Sequence, residues 1–364
     1  MSQVFIKKIN PKTTVKDYQN LIKNFSRQLL PAKPIILKLN LSWTKFYPAC
    51  SSPPWQVEGI IKSLLSLGFQ PKQIIPVENK TVVTDVYQGA KNHFWDKICH
   101  QYGIKIHYLT QEKYIKYRPK AKMLVLDKIF PQGIFLPQII FNKPLISLCT
   151  LKTHVFTKTT GAIKNYFGML NTNRHWAHRY IHEAIIDLLQ IQKEIHPQIL
   201  ALMDGAAIGY GAGPRAMEWK ESNLILGSTD EVALDTTASK IIGLNPKKIK
   251  YLNLGKKLNL GENNLEKIKI KGVKKLPYFH LNQKVPKETF ASRGQKLIYH
   301  HCPLWLEKFL LQTFITPWSY LASRIYYDFY WYNFYGKKRL KKFFESPWGQ
   351  LFKSYSPEIA SLKT

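Results

Sequence analysis

Short apolar runs alternate with stretches of helical periodicity along most of this chain, and that alternation leaves few folds open to it. PIILKLNL (34–41), QIIPVEN (73–79), KIHYL (105–109), PLISLC (144–149), QILALMDG (198–205) and NLILGS (223–228) have strand length and are bounded by polar or turn residues. Between them lie helical patterns. Val15, Tyr18, Leu21, Ile22, Phe25 and Leu29 share one face behind a capping Thr13 or Thr14. Further helices are expected over 57–67, 94–102 and 231–242, closed by Gly68, Gly103 and Gly243, with Ser228, Thr229 or Asp230 as a cap for the last. Apolar strands separated by helices build a parallel sheet covered on both faces. The expected fold is therefore α/β, a mainly parallel sheet with helices on both faces, over residues 1–272. MLVL (123–126) and IIF (139–141) resemble hairpin or edge strands leading to the strand at Pro144.

The polar residues gather where the strands end. Leu151–Leu170 reads LKTHVFTKTTGAIKNYFGML, a strand end, a polar loop with Thr157, Thr159 and Thr160 as capping hydroxyls, and a helix from Gly161. Backbone N–H groups and the dipole at such a helix start favour an anion. Lys152, His154, Lys158, Lys164 and Asn165 would favour it further. In open α/β sheets ligands sit at the carboxyl ends of strands, which brings in Lys38 and Asn40 after PIILKLNL and Asp204 after QILALMDG. QIIPVEN ends at Glu78 and Asn79. Gly211 and Gly213 in the GYGAGP loop let backbone approach a ligand, although no nucleotide fingerprint is present. His175, His178 and His182 share a helix face, suited to a metal or to solvent. Asp235 falls inside a helix and needs a buried partner, for which Lys152 or Lys164 is the expectation.

These motifs also carry a family resemblance. KTH with its threonines, GAIKN and FG, preceded by ILKLNL, SSPPWQVEGIIKSLLSLGF and VENK and followed by LMDG, GYGAGP and STDEVALDTTASKIIGLNP, resemble the bacterial and archaeal family called domain of unknown function 362 over about residues 34–272. The family has no settled activity. Many of its members carry cysteine-ligated iron–sulfur clusters, which implies a redox partner. A fainter similarity, to the nickel-dependent lactate racemase superfamily, lies in the Lys/His-rich turn before a helix. Among the three histidines the resemblance favours His182.

Composition limits the options further. The formal net charge is +31, densest over residues 246–300, which hold 14 Lys/Arg against 3 Asp/Glu. Such a field draws small or polymeric anions and anionic lipid. Cys50, Cys99, Cys149 and Cys302 form no CxxC pair, so no iron–sulfur cluster is expected on this chain, and any such cluster would belong to an external ferredoxin-like protein. No signal-peptide core or bilayer-length apolar run is found, which fits a cytoplasmic protein, peripheral at the inner face of the membrane if the tail binds lipid. Residues 273–296 read as a basic linker. Residues 297–364 read as an aromatic and basic helical extension, since 19 of the 48 aromatic residues fall in the last 70 positions. That extension is expected to bury part of its rings on the core and to leave a basic, aromatic face for an anionic membrane surface. Nucleic acid is disfavoured because no reader motif is present.

The resulting expectation is an enzyme acting on a small carboxylate or phosphate, by racemase-like or redox-associated chemistry. Lys152, His154, Lys164 and Asp204 are the candidate catalytic residues. Lys38, Asn40, Thr157, Asn165, Gly211 and Gly213 are the candidate substrate-binding residues, and His154 with His182 the candidate ligands of a divalent metal. The alternative is a polyanion-binding or peripheral membrane scaffold without catalysis.

Overall fold

In the computed structural model, which describes residues 1–282 and 284–356, the apolar runs become strands of one large sheet. In chain order the strands are β1 (Gln3–Lys8), β2 (Ile35–Lys38), β3 (Ile74–Glu78), β4 (His107–Tyr108), β5 (Tyr114–Tyr117), β6 (Ile134–Pro137), β7 (Leu145–His154), β8 (Lys158–Thr159), β9 (Ile199–Ala212), β10 (Ala216–Ser228) and β11 (Lys269–Lys271). The sheet runs β11-β1-β10-β9-β7-β2-β3-β4, with β8 paired to β7 and a separate β5–β6 hairpin. The block β4-β3-β2-β7-β9 is parallel throughout, while β10 pairs antiparallel with both β9 and β1. The mainly parallel α/β architecture thus follows the strand–helix alternation.

Alternate side chains of the central strands feed two apolar layers. Ile35 and Leu37 of β2, Ile146 and Leu148 of β7, and Leu200 and Leu202 of β9 pack under the helices Thr14–Ile22 and Pro54–Ser66. Their neighbours Ile36, Leu145, Ala201 and Met203 face the helices Ile181–Ile195 and Glu231–Ile241. Two-sided burial explains why these strands read as unbroken apolar runs rather than alternating ones.

Several local expectations give way to tertiary context. β7 continues through Lys152 to His154, and Thr159 pairs with Thr153 in β8, so the threonines build a hairpin rather than a helix cap. The helix after Gly161 is a 3₁₀ segment, Ile163–Met169. MLVL leads into a short helix, Leu126–Ile129, and IIF belongs to a 3₁₀ turn, Gln138–Ile140; the hairpin uses β5 and β6 instead. Most of GYGAGP is strand. β9 runs through Ala212 and turns back over Gly213, Pro214 and Arg215. The turn lies against the end of β7, where a Cβ on Gly213 would stand 2.0 Å from the Thr153 carbonyl oxygen.

Beyond β11 the chain is irregular over 273–282 and 284–289 and then helical for most of its length to Ser354. Phe343, Trp348 and Phe352 enter the same apolar layer as Trp55 and Ile60. Tyr327 and Trp331 close a smaller cluster with Trp43 and Tyr47 from the long loop before Pro54. The tail's expected partial burial on the core is therefore present for 297–356, and its last eight positions, 357–364, lie outside the described residues. Among the described residues no helix is long and apolar enough to cross a membrane.

Candidate functional site

At the carboxyl ends of β2, β3 and β7 the apolar core gives way to a buried polar network. Lys38 Nζ donates to Leu39 O (2.6 Å), Glu78 Oε1 (2.8 Å) and Asn165 Oδ1 (3.4 Å). Asn165 Nδ2 donates back to Ser147 Oγ at 3.0 Å, and Asn40 Nδ2 reaches Asn165 Oδ1 at 3.3 Å. Lys152 Nζ donates to Asn40 Oδ1 (2.7 Å), Cys50 O (2.7 Å) and Thr150 Oγ1 (2.6 Å). An ammonium has three N–H groups, so each lysine has spent all of its donors. Burial lowers the pKa of both, that of Lys152 to about 8, which leaves Lys152 charged at neutral pH. Two buried cations without this wiring would be costly. Lys38, Lys152, Asn40 and Asn165 act as a scaffold that holds three strands and the Ile163–Met169 segment at fixed distances.

The helix start after Gly161 is already occupied by an internal anion. Asp235 accepts from Ala162 N at 2.6 Å, from Ile163 N at 3.2 Å and from the Tyr251 hydroxyl at 3.2 Å. This corrects both the expected Lys152 or Lys164 contact for Asp235 and the use of these N–H groups for a substrate anion. Burial pushes the Asp235 carboxyl up to about 7 despite the three donors. Gly161, at φ +57°, makes the fit possible, since a Cβ there would stand 2.2 Å from the Asp235 carboxylate.

Beside the network lies a cavity of about 270 Å³. Lys38, Lys164, Arg174 and Arg215 line it, against a single carboxylate among the described residues, Glu78, whose Oε1 already accepts from Lys38 and from Asn79 N. Lys164 differs from the scaffold lysines. Among the described residues its ammonium meets no carboxylate, only the Phe167 ring with Nζ 5.3 Å from the centroid. Burial first, then repulsion from Lys152 and Arg174, lower its pKa to about 7. Arg215 stacks over Tyr327 at 3.9 Å, yet among the described residues its Nη1 has no hydrogen-bond partner. Glu78 Oε2, Asn79 Oδ1 and Thr160 Oγ1, from three more lining residues, are likewise unpartnered. Buried polar atoms are nearly always hydrogen-bonded, and four of the eleven without a hydrogen-bond partner among the described residues belong to residues that line this one cavity.

Two histidines on the wall are held neutral in fixed tautomers. His154 Nδ1 accepts from Phe156 N at 3.1 Å, which leaves the proton on Nε2. His178 Nδ1 donates to His175 O at 2.9 Å, which leaves Nε2 as an acceptor. Burial, with Lys164 as the next contribution, holds His154 well below the usual histidine range and pulls His178 down to about 3.

The cavity thus gathers Lys38, Asn40, His154, Lys164, Asn165 and Gly213 from the sequence-derived candidates, with Lys152 one hydrogen bond behind Asn40. The other candidates lie elsewhere. Asp204 faces the opposite helical layer and accepts from Tyr18 OH (2.7 Å), Trp55 Nε1 (2.9 Å) and Ala206 N (3.1 Å). Thr157 Oγ1 closes its own hairpin by donating to Thr159 O, and Gly211 packs against Val285. His182 stacks on Tyr251 outside the cavity lining. Because His154 Nδ1 is taken by backbone, at most one of its nitrogens could face a metal. Among the described residues no three His, Cys, Asp or Glu are grouped to hold one.

Arg174, Arg215 and Asn79 escaped the sequence reading as site residues, although Asn79 ends a strand. Tyr299, Leu311, Tyr320 and Tyr327 also line the cavity, and all four come from the helical extension. Tyr320 OH meets His175 Nε2 at 3.0 Å, and Arg179 pairs with Glu307, tying the extension to the core beside the cavity.

No curated protein is significantly similar to this chain. The family model described as "Domain of unknown function (DUF362)" matches residues 35–240, which include the network, the Gly161 turn, Asp235 and the core wall of the cavity. By that match, over more than half of its length, the chain belongs to the domain of unknown function 362 family.

Proposed function

We propose that the chain is an enzyme whose cavity binds a small carboxylate or phosphate and exchanges a proton with it through Lys164. The observation that carries this reading is the imbalance on the cavity wall, where Lys38 pairs with Glu78, the one lining carboxylate among the described residues, and Lys164, Arg174 and Arg215 pair with none. Arg215 supplies a planar donor suited to an oxyanion, while Arg174, which donates to the Leu170 and Lys80 carbonyls, adds positive charge to the wall. His154 Nε2–H offers a neutral hydrogen bond. Lys164, with a pKa of about 7, can lose and regain a proton near neutral pH, where acid–base catalysis is most effective. A volume of about 270 Å³ favours a metabolite over a polymer, since drug-sized pockets begin at about 300 Å³.

Calorimetric titration with inorganic phosphate and with small hydroxycarboxylates tests the binding. Saturable binding is expected, weakened about tenfold or more by Lys164→Met or Arg215→Met, the usual scale for losing a charge-assisted hydrogen bond. Proton transfer is read by NMR as solvent deuterium entering the bound carboxylate, an exchange that Lys164→Met should abolish. Absence of binding at millimolar concentrations would overturn the reading.

A further inference from the structure

The helical extension is apolar on two sides. Its inner side carries Ser323, Tyr327 and Trp331 onto the core. On its outer side Trp318, Leu321, Ile325, Phe329 and Phe334 stand exposed, with Phe314 ahead of them at 86 % exposure and Phe334 at 71 %. The spacing explains the single stripe. Steps of three and four suit the α-helix Thr316–Arg324, and steps of four and five suit the wider π-type turns of Ile325–Gly336. Trp305, 70 % exposed, stands on the preceding helix, Leu304–Gln312. A patch of this size marks an interaction site rather than ordinary surface.

We propose that this outer face docks on an anionic lipid bilayer. The argument is charge complementarity. From Leu304 to Glu345, the end of the helix that carries the lysine cluster, the exposed charged side chains are six cations, Lys308, Arg324, Lys337, Lys338, Lys341 and Lys342, against one acid, Glu345. The other two acids of the segment point inward, Glu307 onto Arg179 and Asp328 onto Trp43 Nε1 at 2.6 Å. A second copy of the chain would set this cationic face against itself, because a two-fold interface uses the same patch twice. Exposed Trp, Tyr and Phe beside lysines match the headgroup boundary of a membrane, where rings anchor and lysines meet anionic lipid. The helices are too short and too interrupted to cross it, so they lie in the interface. One element therefore meets lipid on its outer side and the cavity on its inner side, while docking itself requires no occupant in the cavity.

The test is co-sedimentation of the full chain with vesicles of phosphatidylcholine alone or mixed with phosphatidylglycerol. Binding to the mixed vesicles, weakened by added salt, is expected. Trp318→Glu with Phe329→Glu should abolish it without changing the circular dichroism spectrum or the denaturant midpoint, because both side chains already face solvent. Lys338→Gln and Lys341→Gln should each weaken binding about fivefold. Unchanged vesicle binding by the Trp318/Phe329 double variant would overturn the proposal. So would a lipid-free dimer that the same variant dissociates, which would identify a second copy as the occupant.

Discussion

Lys152 and Lys164 bring the same side chain into the same basic neighbourhood, with opposite outcomes. Lys152 satisfies all its donors within the fold, whereas Lys164 turns a nearly bare ammonium into the cavity. Two predictions follow from its lowered pKa of about 7. Anion affinity needs the charged form, so it should be greatest below about pH 7 and fall as pH rises through that value. Lys164→Met should flatten this profile in titrations about one unit either side of 7. Stability runs the other way. In the unfolded chain the lysine titrates near 10.4, so between about 7 and 10.4 the unfolded state binds more protons and stability rises with pH. Below 7 the buried charge is a burden to the fold. Lys164→Met should therefore be more stable than the wild type in urea at pH 6, with the gain shrinking towards pH 10.4. A variant that loses binding while gaining stability separates a functional lysine from a structural one.

At the scale of elements, the turn at 160–163 depends on a carboxylate from a helix more than seventy residues later. Asp235→Ala would leave two buried N–H groups and the Tyr251 hydroxyl without their acceptor. An unsatisfied buried group costs about 1–3 kcal/mol, so a loss of about 3 kcal/mol or more is expected in denaturant unfolding. Gly161→Ala should also destabilise the turn, because its methyl would be driven into the same carboxylate. The sequence marks a helix start here correctly, but a cap supplied from a distant helix leaves no local signature. A local reading assigns the role to the nearest hydroxyls instead, and Thr157 and Thr159 are in fact engaged within their hairpin.

For the molecule as a whole, the C-terminal helices complete the core and the cavity together. Trp348 is fully buried against Trp55, and its indole N–H donates to Asn223 Oδ1 at 2.6 Å. Trp348→Ala should cost about 3–5 kcal/mol and lower the midpoint of a single unfolding transition that includes the sheet. Two separate transitions, with only the smaller one shifted, would show that the extension folds by itself.

The parallel sheet and its two helical layers were legible in the sequence because two-sided burial writes unbroken apolar runs separated by helical periods. Lys38, Asn40 and His154 were legible too, since topology alone brings the ends of parallel strands together, and Lys164 and Asn165 were legible as the polar start of the segment that follows β7 and β8. The division of labour among them was not. Whether a lysine is wired or bare depends on acceptors such as the Cys50 carbonyl and the Thr150 hydroxyl, and no sequence spacing encodes those contacts. The apolar run before Asp204 suggests a strand end, yet β9 continues to Ala212 and Asp204 lies within it, on the opposite layer, because side chains alternate between the faces of a sheet and the sequence run does not choose the face. Arg174 and Arg215 join the site, and Tyr320 and Tyr327 enclose it, only because segments distant in the chain fold over one another. Local periodicity determined the scaffold, and long-range packing decided which charges were left unpaired.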